Sequence, residues 1–145
     1  LVQTHRDPLR IVSSLASMLP TLRGAYTRGA DPQAVAREWS RNCASALDAS
    51  VDSRRGGAVP SPRVCDIQFR EFMRDPVAEV RRLYAQFDIP FHPDFEASIR
   101  RYLAENPASK HGGHRHAFAD TGLDPVQERQ RVSDYQGYFA VPSED

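Results

Sequence analysis

The sequence predicts an α/β fold, mostly helical, with two short parallel strands. Three observations lead to it. The dipeptide Asp-Pro occurs four times, at Asp7-Pro8, Asp31-Pro32, Asp75-Pro76 and Asp124-Pro125, each time ahead of a stretch with helical spacing. Only two stretches, "LVQT" at the start and "RVCDIQF" in the middle, read as strands. A long helical region separates these two, and a parallel pair needs such a crossover.

Each Asp-Pro reads as a helix start. The carboxylate caps free amides of the first turn, and proline fits the first helical position, where its missing N–H is not needed. The helix opened at Pro8 follows the first strand directly. After Asp31, apolar residues at Val35, Trp39, Cys43, Leu47 and Val51 mark one face of a long helix ending before Gly56-Gly57. The second strand follows the Pro60 to Pro62 cluster, with Val64, Asp66 and Gln68 alternating with Cys65, Ile67 and Phe69. After Asp75, the residues Val77, Val80, Leu83, Tyr84 and Phe87 form a further stripe. A helix from about Pro93 to Leu103 is expected to turn Phe95, Ile99 and Tyr102 or Leu103 inward. The aperiodic stretch "ENPASKHGGHRHAFADTGLD" predicts a long loop, a feature commonly functional or disordered. Beyond it, Gln127 stands three residues after Asp124 in a capping-box pattern.

Composition narrows the function classes. At 145 residues one domain is expected, long enough to bury a core. Nineteen basic residues balance nineteen acidic ones, which gives nucleic acid no electrostatic footprint. All the basic residues except Lys110 are arginine, which fits GC-rich coding or a use for anion-binding forks. No stretch approaches the roughly 20 apolar residues of a membrane span, and the start lacks a signal-peptide pattern. Cys43 and Cys65 make neither a disulfide framework nor a metal-ligand pair by spacing, so a cytoplasmic protein with buried thiols is expected.

The candidate chemistry lies in the opening stretch. Arg6 stands at the carboxyl end of the first strand, and Ser14 falls on the second turn of the helix begun at Pro8. This is the ligand crevice of an α/β sheet. A guanidinium offers a planar fork to phosphate oxygens, a hydroxyl adds a directional donor, and a helix start favours an anion. Two readings of Arg6 stay open on these residues alone: a phosphate ligand, or a side chain paired with Asp7 or a neighbouring carboxylate. His111, His114 and His116 cluster, but no acidic or cysteine partner is spaced to complete a metal site, and no metal is expected. His5 reads as a packed or solvent-facing neighbour rather than a base. The pairs Arg54-Arg55, Arg81-Arg82 and Arg100-Arg101 read as solvated helix faces. Tyr84, Phe87 and Tyr102 read as core, whereas the loop position of Phe118 leaves an acceptor pocket open for it.

The arrangement Arg6-Asp7-Pro8-x5-Ser14 resembles the 3′-phosphate-binding segment of sulfotransferases that use 3′-phosphoadenosine 5′-phosphosulfate (PAPS), where an arginine ends a central strand and a serine eight residues later sits on the next helix. "DIQFREFMRDPVAEVRRLYAQFDIPF" is similar to the family's late strand and following helix. "YLAENPASKHGGHRHAFADTGLDPVQERQRVSDYQGYF" is similar to the nucleotide-covering loop and closing helix of a bacterial branch. The resemblance implies a P-loop-like three-layer fold of which residues 1–145 are a single partial domain, the C-terminal part. It implies PAPS as co-substrate, a small-molecule acceptor hydroxyl or amine, and nucleotide contacts from Arg6 and Ser14. Lys110-His111-Gly112 is the nearest match to the family's Arg-Lys-Gly segment, so Lys110 and Gly112 join the expected contacts, although the first arginine is replaced. The family's phosphosulfate loop and catalytic histidine precede the strand at residues 1–4. No catalytic residue is therefore assigned, and catalysis by these residues alone is not expected. The alternative is a nonenzymatic helical interaction module or a truncated paralogue, and a further partner expected is a second copy, through an exposed sheet edge.

Overall fold

The computed structural model describes residues 1–24, 31–107, 110 and 117–144. Strand β1 (Val2–His5) leads through helices α1 (Pro8–Gly24) and α2 (Pro32–Arg55) to strand β2 (Cys65–Gln68). Helices α3 (Phe69–Arg74), α4 (Pro76–Gln86), α5 (Pro93–Glu105), α6 (Pro125–Arg131) and α7 (Ser133–Phe139) follow, with 3-10 turns at Ser61–Arg63 and Phe118–Thr121. All four Asp-Pro sites start helices as predicted. The carboxylates of Asp7, Asp31, Asp75 and Asp124 accept hydrogen bonds from the amides of Leu9, Gln33, Ala78 and Val126. The chain forms two compact units, Leu1–His5 with Pro60–Arg115, and Arg6–Val59 with His116–Asp145.

In the first unit β1 and β2 pair in parallel, with Val2 opposite Cys65 and His5 opposite Gln68. The Cys65 amide donates to the Leu1 carbonyl, so the backbone groups of Val64 and Asp66 point to the opposite edge of β2. There α4 supplies partners. Gln86 Nε2 donates to the Val64 carbonyl at 2.6 Å, and Arg82 Nη2 to the Asp66 carbonyl at 2.8 Å. Two long side chains thus close the β2 edge in place of a further strand. Val64, Cys65, Ile67 and Val77 are buried here. His5 is buried too, bonding through Nε2 to Asp66 Oδ1 at 2.9 Å, so of the packed and solvent-facing placements left open it takes the packed one.

Helix α5 departs from expectation: it has no buried residue, and Phe95, Tyr102 and Leu103 are exposed. Cover of its stripe is partial, with Ile99 half-buried. Phe95 stacks with Tyr84 and Phe91 at centroid distances of 5.2 and 5.6 Å. Arg81 and Arg100 sit on exposed surface, both paired with Glu96, as solvated helix faces should.

The second unit is built on α1 packed against α2. The predicted α2 stripe is buried at its ends, Val35 and Val51, but between them the deepest positions are Ala36, Ser40 and Ala44. A strict four-residue repeat drifts around a 3.6-residue helix, and small side chains let a neighbour approach closely. Leu9, Ala44 and Val132 form one apolar cluster, with Leu47 and Phe118 against it. Phe118 is therefore core packing rather than an open acceptor wall. Val51, Tyr135 and Val141 form another, with Leu47 and Phe139. Ser40, buried mid-helix, donates to the buried Glu128 carboxylate, which Arg131 also engages at 2.9 Å. Gly122 has φ +67, a left-handed conformation in the turn before α6 that favours glycine.

One carboxylate ties this unit together. The side chain of Asp7 is fully buried and accepts four hydrogen bonds: from Leu9 N at 3.0 Å, from Arg129 Nη1 and Nη2 at 2.5 and 3.0 Å, and from Glu144 N at 2.7 Å. Burial pushes its pKa up, but these bonds and the Arg129 charge outweigh burial and hold it below the ordinary value of 3.8.

Because the folded pKa lies below the unfolded one, the native state binds fewer protons. The stabilisation is present above the ordinary carboxylate range and is lost as pH falls through the lower folded value. Asp7→Asn is expected to cost about 3 kcal/mol at neutral pH, since it leaves the buried end of Arg129 without its counter-charge. It is also expected to flatten the acid limb of the stability profile below about pH 4. Chemical denaturation across pH checks both. Tyr135→Ala, which empties the centre of the second cluster, is expected to cost about 3 kcal/mol with an unchanged denaturant slope.

Candidate functional site

Arg6 is the residue after β1 and lies two before the first residue of α1. Its guanidinium grips the carboxylate of Glu144, with Nε at 3.1 and 3.3 Å from Oε1 and Oε2 and Nη2 at 3.1 Å from Oε2. Of the two readings left open for Arg6, pairing with a nearby carboxylate is therefore the one seen, and the partner is Glu144 rather than Asp7. Arg10, one turn further along, points to the same group, its Nε 3.8 Å from Glu144 Oε2. That Nε is buried and has no hydrogen-bond partner among the described residues.

The cluster is layered. Asp7 holds the backbone amide of Glu144 from within, while Arg6 and Arg10 hold its side chain from outside. The arginine side chains are each about a third exposed and that of Glu144 about a quarter, so the carboxylate sits at the solvent boundary. Two guanidinium groups converging on one small anion form a seat for an oxyanion.

Ser14 lies on the second turn of α1, as predicted, and is half-buried; its carbonyl accepts the Ser17 hydroxyl at 2.9 Å. Its neighbour Ser13 is buried and turned back on the helix, donating to the Arg10 carbonyl at 3.1 Å. Lys110 belongs to the first unit, where its ammonium donates to Asn106 Oδ1 at 2.9 Å. Gly112 lies outside the described residues, as do His111, His114 and His116. Among the described residues no group of His, Cys, Asp and Glu is arranged to hold a metal ion.

Reasoning from sequence missed Arg10, Arg129 and Glu144. The four-residue spacing of Arg6 and Arg10 was a visible signal for the first, whereas nothing local connects positions 129 and 144 to position 6. A concavity of about 420 Å³ lies in the first unit, lined by Asp75, Val77, Arg81, Arg82 and Arg100 among others. Arg82 is paired with Glu79 there, and Arg81 and Arg100 share Glu96.

The crystal structure of sulfotransferase STF9 from Mycobacterium avium is similar over 99% of this chain, with a TM-score of 0.84 and 23% sequence identity. That similarity shows a shared fold, and the present chain spans 37% of the length of the mycobacterial one. No curated protein sequence matches the chain. The profile of the sulfotransferase family matches residues 1–93, which include β1, Arg6, Ser14 and β2. The chain therefore belongs to the sulfotransferase family.

Proposed function

We propose that this chain supplies the 3′-phosphate half of a nucleotide site in a PAPS-dependent sulfotransferase that acts on an acceptor hydroxyl or amine. The observation carrying this reading is the Arg6 guanidinium, placed at the end of β1 in the Arg-Asp-Pro-x5-Ser arrangement and engaged by an anion through Nε and Nη2, one edge of its fork. A carboxylate held on that fork is a stand-in for phosphate oxygens, so the residues present fit a phosphorylated nucleotide.

In this reading Arg6 binds the phosphate, Ser14 adds a hydroxyl from the next turns of α1, and Lys110 and Gly112 belong to the covering loop. The nucleotide supplies the activated sulfuryl group. The chain's own part is binding: contacts remote from the reacting centre hold the donor so that the transferred group is positioned. The base that takes the acceptor proton is not assigned to any residue of this chain. Free Cys43 and Cys65 support a reducing, cytoplasmic setting. Among the described residues no helix is long and apolar enough to cross a membrane.

An interaction role has one observation in its favour. β2 has its outer edge closed by Gln86 and Arg82, whereas Leu1 and Val2 at β1 are 67% and 46% exposed. Growth of the sheet from β1 would give concentration-dependent association, and a single monomer mass in sedimentation removes this reading.

Calorimetric titration with adenosine 3′,5′-bisphosphate beside adenosine 5′-monophosphate tests the nucleotide reading. The bisphosphate is expected to bind selectively. Arg6→Ala is expected to weaken it by about 1.5–3 kcal/mol, the worth of a charge-assisted hydrogen bond. Equal binding by the two proteins would remove Arg6 from the site.

A further inference from the structure

Glu144 occupies the place that the nucleotide reading gives to a phosphate. Both of its carboxylate oxygens are used by Arg6, at 3.1 to 3.3 Å. Arg10 Nε is left 3.8 Å away, buried and without a hydrogen bond among the described residues. In this arrangement the Glu144 carboxylate meets Arg6 at bonding distance but not Arg10. A carboxylate has two oxygens, whereas a tetrahedral phosphate monoester presents three. Arg6 and Arg10 both approach Glu144, while Arg129 is paired with Asp7.

The attachment of Glu144 allows an exchange. Its backbone amide is anchored on Asp7 at 2.7 Å, while its side chain is a quarter exposed. The carboxylate can turn out to solvent without releasing the segment that carries it.

Resting on the nucleotide reading, we infer that Arg6 and Arg10 form one phosphate seat, with Arg10 as a binding residue in its own right, and that Glu144 is its internal occupant, which an incoming phosphate monoester displaces. The free affinity is then reduced by the fraction of molecules in which Glu144 fills the seat. The family arginine and serine do not require this arrangement; Arg10 and Glu144 add it.

The test uses the 145-residue chain with inorganic phosphate as the first probe, followed calorimetrically and by the shift in melting temperature. Glu144→Gln keeps the backbone bond to Asp7 and removes the competing charge. It is expected to bind phosphate about tenfold more tightly than the wild type. Adding Arg10→Ala is expected to remove most of that gain, and Glu144→Ala to reproduce it should the glutamine variant fold poorly. Equal phosphate affinity in the wild type and both Glu144 variants overturns the inference, as does a gain that survives loss of Arg10. The second probe separates this result from the underlying reading. If Glu144→Gln gains phosphate affinity yet binds adenosine 3′,5′-bisphosphate no better than adenosine 5′-monophosphate, the seat stands and the nucleotide assignment falls.

Discussion

The buried carboxylate of Asp7 is the constraint from which the anion seat follows. An ionised group without solvent is costly unless every lone pair has a donor, and Asp7 meets that condition with four. Those donors come from the first turn of α1, from Arg129 on α6 and from the backbone at Glu144, three places far apart in sequence. One side chain therefore caps a helix, fixes a second helix against the first and pins the segment that follows α7. It anchors the backbone of Glu144, whose side chain meets Arg6.

That economy has an electrostatic consequence for function. Arg129 neutralises Asp7 internally, so Arg6 and Arg10 are not consumed by the acidic residue between them. Their charge points outward, where Glu144 meets it at the solvent boundary. Partly exposed ion pairs are weak and exchangeable, whereas the buried one behind them is structural. The same cluster thus has a rigid inner layer and a replaceable outer layer, as a binding site that must be both preorganised and accessible requires.

The first unit answers to a different constraint. A two-stranded parallel sheet is marginal by itself, and its outer β2 carbonyls need partners. Gln86 and Arg82 supply them from α4, while His5 closes onto Asp66 across the pair. Cys43 in the second unit is half-buried and its thiol is pushed up in pKa by burial, an inert position rather than a reactive one.

Local chemistry was enough to place the elements. Asp-Pro carries its own cap and its own fixed φ, so four helix starts were legible from dipeptides. Both strands were legible too, the second from its alternation. The deepest face of α2 was not, because Ala36 and Ala44 carry little hydrophobic signal and Ser40 carries none; their burial is decided by how closely α1 approaches. The exposure of α5 was not, because a stripe says which side is apolar and not whether anything covers it. Above all, the identity of the group on Arg6 could not be read. Glu144 lies 138 residues away, and its arrival depends on Asp7, Arg129 and the packing of α6 and α7. The sequence by itself determined the elements and the presence of an anion-seeking arginine; only the tertiary structure decided which anion it holds, because a Coulombic pair between distant residues exists only once packing has brought them to within a few ångströms.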